Sequence, residues 1–534
     1  MKHIYTNMYG GFFNDVSNSI DIDSRGNAYI TGFSNGLADN ERSNVPEGFQ
    51  INMHGHEHAG SWDTYVIKED SSGNISWSNK FGDETLEEGE SIAVDQGNRI
   101  FVAMRTEIQD DAEQDFGFEY ASVVEISNKG ELISTLATTA NTYEPGSKYS
   151  ARQTSRFPAI EADESGVYIL ENIENYKAGV NVDPLQIKVK KITKDGRLLW
   201  ETFFGPSSTD KGNDLALSPD GGIVVAGYTH TYNTKFFDQQ AFINKYNSDG
   251  TLAWSKLLTR DNTTRDAEVK AISVDTDGNI FASGYARGRL ESISAENVYS
   301  FAMKLNPDGD ITWIKTTNSK ITSTNLGPSV ANDGNGGAIF STFDVDSSST
   351  LIHLDSKGNE VSRTTLQAEP NRNVRIEDLK QDGDYLYVTG STTNTQLNDS
   401  PKQGADDDAF VAKYSISGTD LSGNSGGSII QIGKPTKFKK KSADKITNFN
   451  PSIDTLEIDT DSFGIDSSAT FAAGKNKKEV KKKLAKQDFD FLYDQKKGGL
   501  YFNENGSDKG FGDGGIIAIL KGAPDLTAEN LEFI

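Results

Sequence analysis

Cysteine is absent from this 534-residue chain, which excludes a disulfide framework, a thiolate metal site and a cysteine nucleophile. Proline is sparse at 13 residues and Leu-rich helical stretches are rare, so little argues for a helical bundle. No apolar run approaches the eighteen or so residues of a membrane span. The opening Met1-Lys2-His3-Ile4-Tyr5-Thr6-Asn7 has neither an apolar core nor a small-residue cleavage site, so a secreted fate requires a signal elsewhere. The phosphate loop and the zinc-enzyme helix are both missing. Positive charge is also in deficit: 53 basic against 78 acidic side chains leave a net charge of -25. That balance speaks against nucleic acid and anionic membranes as general partners. It suits either solubility or divalent cations.

What is present is glycine, 51 residues, and aromatics, with 28 Phe, 19 Tyr and 5 Trp. They fall into a repeat. One half of it is an apolar strand, an Asp/Pro-x-Gly-Asn/Gly turn and a second apolar strand, at Ser19–Gly32, Glu90–Ala103, Pro158–Leu170, Asp214–Gly227, Ala271–Gly284, Ser329–Thr342 and Arg375–Gly390. The other half is a strand often ending in Lys, an Asn/Asp-x-Gly turn and a short strand often carrying Trp. It occurs at Trp62–Trp77, Glu119–Ser134, Leu185–Trp200, Gln240–Trp254, Tyr299–Trp313, Thr350–Ser362 and Asp408–Gly418. The halves alternate without a skip and give seven units of two hairpins each.

Four antiparallel strands cannot bury both faces alone, so the units must stack. An all-β fold follows: a seven-bladed β-propeller over residues 1–430, a linker at 431–442, and a small, mostly-β domain at 443–534 with a short helix near Lys477–Lys486. The segment Ile4–Gly10 lines up with Ile75–Gly82 and Leu199–Gly205, which are last strands of a unit. The ring is therefore expected to close by exchange of the N-terminal strand into the blade at residues 375–418. The Trp residues at 77, 200, 254 and 313 are expected between blades, and Trp62 with them. The insertions Phe33–Gly60, Glu107–Glu119 and Tyr228–Gln240 are the places for blade-specific binding. Residues 431–534 hold 17 Lys against 16 acidic residues, so essentially all the negative charge lies on the propeller.

The stretches Ile92-Ala93-Val94-Asp95, Asp275-Thr276-Asp277-Gly278-Asn279-Ile280-Phe281-Ala282-Ser283-Gly284 and Asp408-Ala409-Phe410-Val411-Ala412-Lys413-Tyr414 resemble the repeat of the bacterial β-propeller repeat family of SBBP-like sequences. That resemblance covers roughly residues 1–418 and implies a fold, not an activity. The C-terminal stretches Ile446–Pro451, Phe491–Asp494, Leu500–Asn503 and Ala523–Ile534 are similar to the end module of cyanobacterial secreted repeat-in-toxin-type calcium-binding proteins. In that family the end module carries an uncleaved type I secretion signal, which would fall here on Leu526, Leu531, Phe533 and Ile534. The Gly-Gly-x-Gly-x-Asp nonapeptides that bind Ca²⁺ in that family are absent from this chain.

Three candidate metal sites stand out. His54, His56 and His58, with Glu57 among them, are types that hold Zn²⁺ or another transition metal, although exposed loop residues give the same pattern. Asp275, Asp277 and Asn279, and Asn306, Asp308 and Asp310, present oxygens at alternating positions suited to Ca²⁺ or to hairpin turns alone. The functional expectation is a secreted or cell-surface, non-enzymatic protein of adhesion type that presents propeller loops to a glycan, a surface protein or another copy of itself. An enzyme acting on extracellular polysaccharide through carboxylates, and a surface-layer or appendage subunit, are the alternatives.

Overall fold

The computed structural model describes residues 1–10, 14–35, 62–82, 86–108, 118–139, 151–177, 186–205, 210–233, 236–258, 266–320, 328–344, 346–398, 400–402 and 407–416, and most of 429–533. The chain forms two compact units, Met1–Thr419 and Asp420–Ile534. Seven four-stranded antiparallel sheets make up the first. Blade 1 runs from Asp15–Ile22 through Ala28–Asn35 and Trp62–Glu69 to Ile75–Phe81, and blade 2 begins at Leu86. Blade 7 takes Val374–Asp382, Tyr385–Thr392 and Asp408–Ser415 from the end of the unit and Lys2–Tyr9 from its start. The expected closure is therefore present, with Lys2 opposite Ser415 and Tyr9 opposite Ala409.

Strand direction gives the disc two unlike faces. In each of the first six blades the tight turns between strands one and two, and between three and four, fall at one end, and in blade 7 the turn between strands one and two falls there too. The connections from strand two to three and from one blade to the next fall at the other. The Gly-containing turns thus share one face, and the strand ends at Asn35, Trp62, Ile108 and Phe118 lie at the opposite one.

Blade-to-blade packing explains the recurrent Trp. The Trp77 indole N–H donates to Asn128 O at 2.7 Å, Trp200 to Ser248 O at 2.9 Å, Trp254 to Pro307 O at 3.1 Å and Trp313 to Ser356 O at 3.2 Å. Each acceptor lies in the last turn of the following blade. The glycine two residues on lies under the ring: a Cβ on Gly250 would come within 2.6 Å of Trp200, and one on Gly130 within 2.8 Å of Trp77. Both also have positive φ, so two independent constraints require glycine there. At the closure Tyr5 takes the place of Trp against Gly73. Trp62 departs from the expectation, because it stacks on Phe33 of its own blade at 4.6 Å.

Opposite each of these Trp residues stands a Lys: Lys68 with Trp77, Lys191 with Trp200, Lys245 with Trp254 and Lys304 with Trp313. Where Ser134 and Ser362 replace Trp, Glu125 and His353 replace Lys. Each substitute has its own partner: Glu125 takes Arg99 at 2.7 Å and His353 takes Asp333 at 2.9 Å. Trp313 is 8% exposed. Trp313→Ala should cost about 3–5 kcal/mol and Trp313→Phe about 1 kcal/mol, the worth of the lost hydrogen bond. Denaturant midpoints of the two variants check this, and equal losses would contradict the hydrogen bond's role.

The second unit has a five-stranded sheet in the order Asp444–Ile446, Gly515–Leu520, Gly499–Phe502, Phe491–Asp494, Phe471–Gly474. A three-stranded sheet contains Ile429–Ile432, Thr455–Ile458 and Leu531–Phe533. Ile429–Ile432 pairs in parallel with Thr455–Ile458. This corrects the boundary expected from sequence. The first unit ends at 419 rather than 430, and the proposed linker at 431–442 starts inside a strand whose partner lies far along the chain. Thr460–Phe463 forms a short helix, while of the helix expected near 477–486 only Glu479 and Val480 are described, as helical.

Candidate functional site

The innermost strands enclose a central channel of about 390 Å³ lined by residues of all seven blades. Its lining is set by a repeated β-bulge. The register of the first two strands slips between Ser17 and Ser19, Gly89 and Ser91, Arg156 and Ala159, Gly212 and Asp214, Val269 and Ala271, and Ile376 and Asp378. A bulge re-aims a side chain. Asn18, Glu90, Pro158, Asn213, Lys270 and Glu377 lie at these slips and line the channel. The bulge also explains the glycine that ends the repeat motif, since a Cβ on Gly32 would meet Val16 O at 1.8 Å and one on Gly390 would meet Arg375 O at 1.9 Å.

The next residue of the strand performs a structural task. Each innermost strand is a sheet edge with N–H groups to satisfy, and at several junctions the preceding blade supplies the acceptor. Ser19 Oγ accepts from Ile92 N–H at 3.3 Å, Ser91 Oγ from Ile160 at 3.1 Å, Asp214 Oδ2 from Ile272 at 2.7 Å and Asp378 Oδ2 from Ile20 at 3.0 Å. Asp21 Oδ2 accepts from Val94 N–H at 2.7 Å, and Glu90 Oε2 from Phe157 N–H at 3.0 Å. These side chains form a collar that stitches successive blades around the channel.

The collar is acidic and enclosed. Lys380 lies 2.8 Å from Asp21 and 3.5 Å from Glu161. Burial pushes Glu161 up to about 7 although Lys380 pulls it back, and pushes Glu90 up to about 7 with Glu88 adding to the effect. Asp378 is pushed up to about 6, and Asp214 rises well above the carboxylate range, in both cases chiefly by burial. Protein surrounds these groups, yet they keep contact with the channel; the Glu161 side chain is 23% exposed. Glu377 is raised by burial too, against the pull of Arg375 and Lys270. Among the described residues it has no hydrogen-bond or ion-pair partner.

The sequence-derived sites lie elsewhere. Asp275 Oδ1 accepts from the N–H groups of Asp277 and Asn279 at 3.0 and 2.8 Å, and its Oδ2 from Asn279 Nδ2 at 2.8 Å. Asn306 Oδ1 accepts in the same way from Asp308 and Asp310 at 3.1 and 2.8 Å. These oxygens lock tight turns on the face that the Gly-containing turns share. Among the described residues, no three His, Asp or Glu side chains converge as a cation site. His54, His56 and His58, and Ile534, lie outside the described residues. Leu526 and Leu531 are buried in the core of the second unit, and Phe533 packs against it. The repeat pattern alone does not single out the channel carboxylates. The available signal is the Ser or Asp four residues before the turn Asp or its equivalent, at Ser19, Ser91, Asp214, Ser329 and Asp378.

No family model matches the chain. It is 22% identical over 320 residues to the regulatory protein FlaEY of Caulobacter vibrioides, a match that takes in 50% of this chain and 33% of that protein, so it spans about a third of that relative's length. Similar solved structures include the β-propeller domain of the Trilobed protease from Pyrococcus furiosus, at 10% identity, 72% and 97% coverage of the two chains and a TM-score of 0.37. An ulvan lyase bound to a GlcA–Rha3S saccharide gives 10% identity, 77% and 96% coverage and a TM-score of 0.39. The acylaminoacyl peptidase of Pyrococcus horikoshii gives 10% identity, 83% and 60% coverage and a TM-score of 0.39. No helix among the described residues is long and apolar enough to cross a membrane.

Proposed function

We propose that this chain is a non-enzymatic binding protein of the cell surface or extracellular space, whose propeller presents its variable face to a glycan or protein partner. One observation carries the reading: nearly every channel carboxylate is already engaged in holding the ring together. Asp21, Asp214, Asp378 and Glu90 accept backbone N–H groups of the next blade, and Glu161 shares Lys380 with Asp21. Glycoside hydrolysis by the usual route needs two carboxyl groups free to exchange protons or attack, and among the described residues lining the channel Glu377 alone is unengaged. The strand ends that lead into the variable segments, by contrast, lie at one face of the propeller, and loops held by a rigid scaffold are where binding residues concentrate.

Glu377 is also the reason to keep an enzymatic reading as second. Purified chain incubated with neutral and acidic polysaccharides should release no new reducing or unsaturated ends and should retain at least one polysaccharide or a surface protein in a pull-down. Product release that Glu377→Gln abolishes would overturn the first reading in favour of the second. Export through the C-terminal unit is part of the proposal and rests on the resemblance of residues 523–534. Delivery of the full chain to the medium, lost when residues 420–534 are removed, is the expected result; unchanged delivery would refute it.

A further inference from the structure

The second unit carries a feature that the propeller reading leaves unused. Lys445, Lys496, Lys497 and Lys521, together with Ile446, Ile519, Leu520 and Ala523, bound an open pocket of about 520 Å³. We propose that this pocket binds an acidic polysaccharide through its carboxylate or sulfate groups.

Three chain segments build the site. Asp444–Ile446 pairs in parallel with Gly515–Leu520, which places Lys445 opposite Ile519. The turn after Phe491–Asp494 supplies Lys496 and Lys497. It is held by the fully buried Asp494, whose Oδ1 accepts from both their N–H groups at 3.0 and 3.2 Å. The Leu520 N–H donates to Gly498 O at 2.8 Å and the Lys521 N–H to Ile446 O at 2.8 Å. These bonds fix the third segment against the other two. The lysine backbones are thus set by sheet and turn geometry.

All four side chains are exposed, and none forms an ion pair with a described residue. In the propeller Lys194, Lys245, Lys270 and Lys380, by comparison, each meet a carboxylate within 3 Å. Four like charges around one concavity repel each other, and an anion there relieves that repulsion. The class of anion follows from the rest of the lining. No aromatic side chain is present on which a nucleobase would stack. The surface is concave rather than flat, which disfavours a bilayer. Aliphatic Ile446, Ile519 and Leu520 give the sugar C–H faces an apolar floor.

The test uses the full chain at low ionic strength against heparin, polygalacturonate, neutral dextran, phosphatidylserine vesicles and single-stranded DNA. Binding to heparin or polygalacturonate but not dextran is expected, weakening steeply with salt. The pairs Lys496→Gln/Lys497→Gln and Lys445→Gln/Lys521→Gln should each reduce affinity about tenfold. The charge-matched control Lys129→Gln/Lys357→Gln, on exposed propeller turns, should change it less than about twofold. Absence of binding to both acidic polysaccharides, an equal loss in the control, or tighter binding to vesicles or DNA would overturn the proposal. Circular dichroism of each variant separates lost binding from lost fold. Retention of a polysaccharide or surface protein by the Lys496→Gln/Lys497→Gln chain reports on the propeller alone, and loss of acidic-polysaccharide binding in that variant reports on this site alone, so the two readings fail separately.

Discussion

Removal of residues 1–12 should abolish the cooperative unfolding transition of the first unit rather than shave its stability. The lost strand Lys2–Tyr9 is the outer strand of blade 7 and one wall of the junction with blade 1. Met8 and Tyr9 are 6% and 3% exposed, and burying each contributes roughly 2–3 kcal/mol. The strand also supplies the donors to Glu69, a carboxylate with 0% exposure: Tyr5 Oη at 3.0 Å, Asn7 Nδ2 at 2.9 Å and Tyr9 Oη. Stripping them leaves a buried acid unsatisfied at a further cost of roughly 1–3 kcal/mol or more. Set against a typical total of about 5–15 kcal/mol, the losses consume most of the stability of an ordinary domain. They also expose the edge of Asp408–Ser415 to intermolecular pairing. Urea melts followed by tryptophan fluorescence measure the effect, and a peptide of residues 1–12 added in trans should restore the transition. A truncated chain that melts at the full chain's midpoint would show that the ring does not depend on this clasp.

That closure is legible in the sequence, because Ile4–Gly10 repeats the pattern of last strands elsewhere and seven units leave one blade short. Strand phase, turn glycines and the interblade role of Trp77, Trp200, Trp254 and Trp313 are legible for the same reason: each is local and occurs many times. The channel is not, because a bulge is a relation between two strands. Nothing in Gly89-Glu90-Ser91 alone says that Glu90 turns inward while Ser91 reaches the next blade. The Lys opposite each Trp shows in the sequence only as a strand-ending habit, and its loss together with Trp in the blades of Ser134 and Ser362 becomes informative once the register is known. The 419/420 boundary escapes the sequence because Ile429–Ile432 finds its partner by a long-range parallel pairing, for which there is no turn signal. The lysines of the second unit are likewise 24 or more residues apart between segments, and only the sheet order brings Lys445, Lys496 and Lys521 to one pocket.

Acidification from pH 8 to pH 5 should stabilise the first unit, contrary to the behaviour of proteins whose carboxylates are held by cations. Glu69 is the clearest contributor. Burial pushes it up to about 7 from an ordinary 4.5; Asn7, Tyr5 and Lys413 oppose the rise, and Asp70 adds to it. A carboxyl raised in the folded state binds protons that the unfolded chain has released. Its favourable contribution is therefore complete below about pH 4.5 and is lost as pH climbs to about 7. For Glu69 the displacement corresponds to about 3 kcal/mol, and Glu90, Glu161 and Asp378 act in the same direction, less strongly because the channel admits water. Lys413, lowered to about 8 by burial beside the same site, titrates at the upper edge of the window and leaves the interval from 5 to 7 to the acids. Tyr5, Tyr9 and Tyr387 also face the clasp; burial raises Tyr5 and Tyr387 above the ordinary tyrosine range. The discriminating variant is Glu69→Gln, which keeps the shape and removes the charge. It should match the natural chain at pH 5 to within about 1 kcal/mol and exceed it at pH 8 by about 2 kcal/mol, whereas Glu69→Ala should be destabilised at both. Denaturant melts across pH 5–8 read the slopes directly. Parallel profiles for the natural chain and Glu69→Gln would mean that Glu69 stays ionised throughout, its three donors outweighing its burial.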